Sequence, residues 1–214
     1  MDHRESLVEG LVSLGLEYRE EELVALLGYI RELMFWNSRF NLIRSPESEL
    51  VRRHIVDALA AVPIIRRSMD RKVRFADVGS GAGIPGIPLA IFLPEAELLL
   101  IERSGKRAGF LRSALVAAGL AGRSEVIHSD VRSCGVEADA VLMRAFKPLP
   151  EALPLVLPVM RPEGSIFAFH GRRETIQKEL EDPLVREFRW ILHSLPSGPE
   201  GEERHLLQGS YGAD

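Results

Sequence analysis

Three carboxylates and three glycines hold most of the chemistry that can be read along this chain. Asp77 stands two residues before Gly79, and glycines recur at alternate positions in Asp77-Val78-Gly79-Ser80-Gly81-Ala82-Gly83-Ile84-Pro85-Gly86. Glycine has no Cβ and tolerates positive φ, so such a turn brings main chain close to a ligand where a side chain would collide. Glu102 follows 21 residues after Gly81, and Asp130 lies further on in His128-Ser129-Asp130-Val131. The apolar, proline-started run from Ile84 to Leu93 reads as a helix whose first N–H groups face the same ligand.

The acid before the turn separates the possible ligands. A carboxylate at Asp77 suits a cation and repels a pyrophosphate, which favours S-adenosylmethionine over a nicotinamide dinucleotide. Gly81 to Gly86 also satisfies G-x-G-x-x-G, so the glycines alone do not decide. Glu102 can accept both hydroxyls of a ribose, a need common to the two ligands. At Asp130-Val131 a polar side chain and a backbone amide can read an adenine edge. The dinucleotide reading leaves Asp77 unexplained. A reading without ligand also stays open, in which Asp77 closes a turn and Glu102 caps the helix entered at Ser104. Ser80, Gly81 and Gly83 complete the expected cofactor contacts, and no metal is expected.

The acceptor is narrowed by what the chain lacks. Methylation of an exocyclic amine usually uses an Asn/Asp-Pro-Pro-aromatic motif after the fourth strand, where this chain has Met143-Arg144-Ala145-Phe146. Carbon methylation of a pyrimidine needs a thiolate nucleophile. The single thiol, Cys134, falls before the fourth strand and reads as a small apolar residue. Acceptors that need little activation remain. Guanine N7 carries an in-plane lone pair and no proton, so alignment with the methyl–sulfur bond suffices without an essential base. Arg144 is expected to position such a substrate, with Phe146 available to stack on a base; an ion pair of Arg144 with Asp139 or Glu102 is the competing reading.

The elements that must position these residues follow from periodicity. Apolar positions recur at helical spacing over 20–35 and 47–62, and a short helix fits 4–14, so the first 70 residues read as helical. From residue 73 strands at 73–78, 97–102, 124–128, 138–143 and 165–169 alternate with helices at 85–93, 105–118, 149–160 and 173–181. Runs at 188–195 and 204–208 read as a final antiparallel pair. This pattern predicts an α/β fold, a mostly parallel seven-stranded Rossmann-like sheet with helices on both faces and ligands at the carboxyl ends of the strands. Residues 1–70 read as helical and 71–214 as the α/β part, in one compact unit.

The chain has 214 residues and one cysteine, which suits one core without disulfides or a structural zinc cluster. Its opening residues are too polar for a signal peptide, and prolines and glutamates break the most apolar stretch, so a cytoplasmic protein off the membrane is expected. The net charge of −4 argues against a general nucleic-acid binder. Distribution says more: basic residues gather at Arg52-Arg53-His54, Arg66-Arg67, Arg71-Lys72-Arg74, Arg103/Lys106/Arg107/Arg112 and Arg172-Arg173, whereas Glu20 to Glu22 and Glu200 to Glu203 are acidic. Each cluster alone reads equally as a solvated face.

Together these residues resemble the RsmG (GidB) family, the small-subunit 16S rRNA guanine-N7 methyltransferases. The resemblance runs from about residue 20 to residue 207 through Trp36-Asn37, Phe40-Asn41-Leu42, Val51-Arg52-Arg53-His54 with Asp57, and Asp77 through Pro88. It continues through Ser104-Gly105-Lys106-Arg107, Arg144-Ala145-Phe146 and Glu203-Arg204-His205. It implies a class I S-adenosylmethionine-dependent methyltransferase fold, with 71–214 as the methyltransferase domain and 1–70 as its N-terminal helical extension, and methyl transfer to one guanine N7 of 16S rRNA. The acidic net charge points to a substrate within the small ribosomal subunit or an assembly intermediate rather than free RNA, and a monomer is expected. Family cofactor positions correspond to Gly79, Ile84, Asp130, Val131 and Arg144. Arg53, Lys106, Arg107, Phe146 and Arg172 are the expected RNA contacts. Ile43 stands where the family usually has threonine, Met143 where serine is common, Asp130-Val131 in place of Val-Glu, and His170 in place of a common lysine. A small-molecule methyltransferase is the alternative function. His54 reads better as a hydrogen-bonded core residue, and Trp36 as packing, than as RNA contacts.

Overall fold

The computed structural model describes residues 2–69, 73–196 and 201–212. The basic pair Arg71-Lys72, the expected boundary at residues 70 and 71, and Glu200 lie outside them. Seven strands form one sheet: β1 (Val73–Val78), β2 (Ala96–Ile101), β3 (Ser124–Ile127), β4 (Ala138–Arg144), β5 (Met160–His170), β6 (Phe188–Ser194) and β7 (His205–Tyr211). Their order is β3-β2-β1-β4-β5-β7-β6. Only β7 runs antiparallel to its neighbours, β5 and β6. The chain steps outward from β1 to β3 and then returns to lay β4 beside β1. This reversal opens a crevice at the carboxyl end of β1, where the glycine turn lies.

The helices are α1 (His3–Ser13), α2 (Glu20–Phe40), α3 (47–59), α4 (Val62–Ser68), α5 (Gly86–Phe92), α6 (Gly105–Ala117), α7 (Leu149–Val156) and α8 (Arg173–Leu180). Three depart from the sequence reading. Helix α7 ends at Val156, short of the expected residue 160, where β5 already begins. Helix α2 runs beyond residue 35 and ends at Asn41, whose φ of 47° is a left-handed stop that asparagine tolerates. The extra turn carries Trp36 onto Phe40 and Phe110, with ring centroids 5.3 and 6.0 Å away, so Trp36 is packing. The helix expected over 47–62 instead widens into a π-helical segment, Val51–Val56, and breaks at a turn over Ala60 and Ala61. Pro63 then falls in the first turn of α4, where its missing N–H breaks no bond.

Alternation along the strands divides the core. Phe75, Leu98, Leu100, Ala140, Leu142 and Phe167 face the side covered by α2, α3, α5 and α6. Ala76, Val78, Val141, Met143, Ile166 and Ala168 face the side covered by α7. The N-terminal helices therefore share one apolar core with the sheet: Leu26, Ile30, Leu33 and Ile55 are buried in the same cluster as Phe75 and Phe110. Asp77 follows Phe75 at period two, so its side chain points into that apolar layer. This placement decides its chemistry.

Candidate active site

Main chain fixes the glycine turn first. Gly79, Gly81 and Gly83 all have positive φ, and the Gly79 and Ser80 amides donate to the Ile101 carbonyl at 2.9 and 3.2 Å, which ties the turn to the tip of β2. A Cβ on Gly79 would stand 2.8 Å from the Phe146 ring. The Ser80 hydroxyl is buried and donates to the Asp77 carbonyl at 2.7 Å. From the helical layer Tyr29, fully buried, donates its hydroxyl to the Ala82 carbonyl at 2.6 Å.

Glu102 is 4 % exposed at the tip of β2. Its carboxylate accepts the Gly81 amide at 3.0 Å and the Ser104 amide at 2.8 Å. It therefore holds the turn and the chain entering α6 at once, while lining a cleft of about 290 Å³ with Gly79, Arg107, Asp130, Val131 and Phe146. The carboxylate's remaining lone pairs suit a vicinal diol. Asp130 is half-buried and turns its side chain back onto Arg132, accepting from Nε and the backbone amide at 3.0 Å each. Those hydrogen bonds hold its carboxyl below the usual carboxylate range. Val131 is half-buried in the same wall.

Asp77 does not stand on the wall of this cleft. It is 1 % exposed, behind the turn, and accepts the Gly86 amide at 3.0 Å. Burial pushes its carboxyl up to about 7; the Gly86 hydrogen bond opposes this, Glu102 adds to it, and Arg144 opposes it. The expectation that the first N–H groups of the following helix face a ligand is thereby corrected: α5 starts at Gly86, and its leading amide faces Asp77. A Cβ at Gly86 would stand 2.6 Å from the Asp77 carboxylate, so glycine is required there. Gly83 is buried and Ile84 half-buried, both turned into the helical layer.

Arg144 ends β4, and its partner is neither Asp139 nor Glu102. Its guanidinium reaches Asp57 at 2.8 Å and donates to the His54 and Arg53 carbonyls at 3.1 and 3.0 Å. Those carbonyls lie in the widened turn of α3; π turns recur at functional sites. Asp57 also meets Arg204 at 3.1 Å. Burial pushes the Asp57 carboxyl up, and the two arginines pull it down. His54 is half-buried, with Nδ1 3.5 Å from Arg144 Nη2, while its Nε2 has no partner among the described residues. Burial, then Arg144, Arg53 and Arg204, lower it to about 4, so it is neutral at pH 7.

Ala145 takes φ 50°, unusual for a residue with a Cβ, and turns Phe146 onto Gly79. Phe146 thus lines the cleft on one side and a second cavity of about 490 Å³ on the other. The second cavity lies over β4, β5 and β7, among Arg144, Lys147, His170, Glu179 and Arg204.

The expected RNA contacts divide. Lys106 is exposed, with Nζ 5.7 Å from the Phe40 ring centroid. Arg107 is exposed on the cleft wall, and Arg172 is exposed just before α8. Arg53 is half-buried against Glu49 at 2.8 Å and Glu202 at 3.7 Å, acids with which a phosphate would compete. His170 is held below its ordinary value, first by burial, which disfavours the protonated form a phosphate would need. Cys134 is half-buried, its thiol donating to the Val131 carbonyl at 3.1 Å, and it lines neither cavity. Among the described residues no three His, Cys, Asp or Glu side chains cluster to hold a metal. Tyr29, Asp57, Glu179 and Arg204 escaped sequence reasoning as site residues; Asp57 and Arg204 carried only the family resemblance.

A mostly parallel seven-stranded sheet with an acid ending β2 and a glycine turn at the switch point defines a class I methyltransferase fold. The precorrin-6y C5,15-methyltransferase of Geobacter metallireducens GS-15 shares it, with a TM-score of 0.55 over 73 % of this chain and 88 % of that one at 15 % identity. The profile of the GidB family, rRNA small subunit methyltransferase G, matches residues 22–206, and the chain belongs to that family. It is 40 % identical to the ribosomal RNA small subunit methyltransferase G of Ectopseudomonas mendocina (strain ymp) over 69 % of this chain and 68 % of the relative. It is 33 % identical to the enzyme of the same name from Hahella chejuensis (strain KCTC 2396) over 97 % and 93 %.

Proposed function

We propose that this chain transfers the methyl group of S-adenosylmethionine to N7 of one guanine in 16S rRNA, within the small ribosomal subunit or an assembly intermediate. The carrying observation is Glu102: a buried carboxylate, anchored by the Gly81 and Ser104 amides, at the floor of a cleft shared with Gly79 and Val131. Such an acceptor suits the ribose diol of the donor, with Asp130-Val131 beside the adenine. S-adenosylmethionine supplies an electrophilic methyl on a sulfonium. Asp77 lies behind the turn, and a positive charge above it favours its ionised form.

The N7 lone pair forms the new N–C bond as the C–S bond breaks, leaving a cationic 7-methylguanine and a neutral thioether. No proton leaves, so the residues need only align and shield. Phe146, between the two cavities, offers a face on which the base can lie. Arg144, held by Asp57 and two backbone carbonyls, fixes the tip of β4 and with it Phe146. Lys106, Arg107 and Arg172 offer phosphate contacts. The chain is read as acting as a monomer, and the cytoplasm is the compartment that holds such a substrate.

The test is mass spectrometry of small-subunit RNA from cells with and without this gene. One methylated guanosine is expected to be missing without it. An unchanged set of methylated nucleosides contradicts the proposal.

A further inference from the structure

A guanine acceptor leaves one question open, because adenine carries the same N7 lone pair. The purines differ at the opposite edge, where guanine presents two adjacent donors, N1–H and the N2 amino group, and adenine presents one donor and one acceptor. Among side chains only an ionised carboxylate accepts two such donors side by side. Two carboxylates line the cavity beyond Phe146, Asp57 and Glu179. Asp57 is engaged through both oxygens, Oδ2 with Arg144 at 2.8 Å and Oδ1 with Arg204 at 3.1 Å. Glu179 accepts the Leu149 amide on Oε2 at 2.8 Å, while Oε1 accepts no hydrogen bond among the described residues.

Position points the same way. The cofactor cleft lies over the tips of β1, β2 and β3, and the larger cavity over β4, β5 and β7, with Ala145, Phe146 and Lys147 lining both. Glu179 sits on α8, which follows β5, and lines only the larger cavity. In a purine N7 and N1 face opposite ways. A guanine resting on Phe146 with N7 toward the cleft therefore carries its donor edge away from it, into the half of the cavity that holds Glu179. We propose that Glu179 determines base specificity, its carboxylate accepting N1–H and the N2 amino group of the acceptor guanine. This rests on the guanine-N7 reading above.

Small subunits reconstituted on unmethylated 16S rRNA, with guanosine or inosine at the acceptor position, test it with the full chain. Inosine keeps N7 and N1–H and lacks only the N2 amino group. The wild-type enzyme is expected to methylate guanosine about tenfold faster in kcat/KM, the effect of one charge-assisted hydrogen bond. Glu179→Gln keeps an oxygen for the Leu149 amide but turns a donor toward the base. It is expected to lower the guanosine rate about ten- to hundredfold and to erase the preference over inosine, with cofactor affinity by calorimetry unchanged. A wild-type enzyme indifferent to the N2 amino group overturns the inference, whether or not the variant folds. So does a Glu179→Gln enzyme that keeps the preference. Guanosine subunits left unmethylated by the wild type contradict the guanine reading itself, and the inference falls with it.

Discussion

The Arg144 guanidinium lies 2.8 Å from the Asp57 carboxylate, which joins the tip of β4 to the widened turn of α3. Two regions far apart in sequence thereby meet at the wall of the 490 Å³ cavity, and Arg204 closes the set from just before β7. The Asp57 side chain is 8 % exposed and that of Arg144 18 %, so neither charge has ready access to water if the other is removed.

Asp57→Ala is expected to destabilise the fold by about 3 kcal/mol, because breaking a buried pair leaves an uncompensated charge. Urea denaturation measures this. Activity should fall further than stability explains, through KM for the RNA substrate, because the tip of β4 loses its anchor. A loss under about 0.5 kcal/mol, the range of ordinary surface changes, contradicts the account.

Asp77 makes a pH prediction. Its carboxyl is raised from 3.8 to about 7 in the fold, so between those values the folded protein holds a proton that the unfolded chain releases. Its contribution to stability is therefore fully present below about 4 and is lost as pH rises toward 7. Asp77→Asn, which keeps an acceptor for the Gly86 amide, is expected to remove that slope and to match or exceed the wild type at pH 8. The same charge should favour a sulfonium, so cofactor affinity is expected to rise from pH 6 to pH 8 in the wild type only. Calorimetry across that range checks it.

Gly79 and Phe146 form a close pair. Gly79→Ala places a Cβ 2.8 Å from the Phe146 ring and adds a left-handed strain of about 1–2 kcal/mol. Cofactor affinity is expected to drop more than tenfold. Gly79→Ala with Phe146→Ala should recover part of this, because the contact goes while the strain stays. No recovery in the double variant would show that the ring contact plays no part.

Exposed cations at the rim give a salt prediction. Replacing Lys106 and Arg107 by alanine is expected to weaken binding of small subunits and to flatten the slope of log affinity against log salt by about one to two. Filter binding from low to moderate salt measures it. An unchanged slope places the phosphate contacts elsewhere.

Much of the frame was legible because it is local. The glycine turn, the strands before Asp77 and Glu102 and the final antiparallel pair each follow from a few neighbouring residues. Glu102 could also be placed at a strand tip by spacing alone. What escaped is long-range. Nothing in the sequence around Tyr29 marks it, yet its hydroxyl meets a carbonyl 53 residues away. Arg144 donates to a carbonyl 91 residues earlier, and nothing near it in sequence marks Asp57 as its partner. Arg53 has a local partner in Glu49, four residues earlier, but Glu202 reaches it only through the fold. The π-helical widening left no mark in the apolar period, since the stripe continues across it.

The most direct measurement combines the purified chain, labelled S-adenosylmethionine and small subunits from cells lacking the gene, followed by mapping of the labelled nucleoside. The account predicts 7-methylguanosine at a single position of 16S rRNA. Label on another atom or base, or none with wild-type protein that binds the donor, would contradict it.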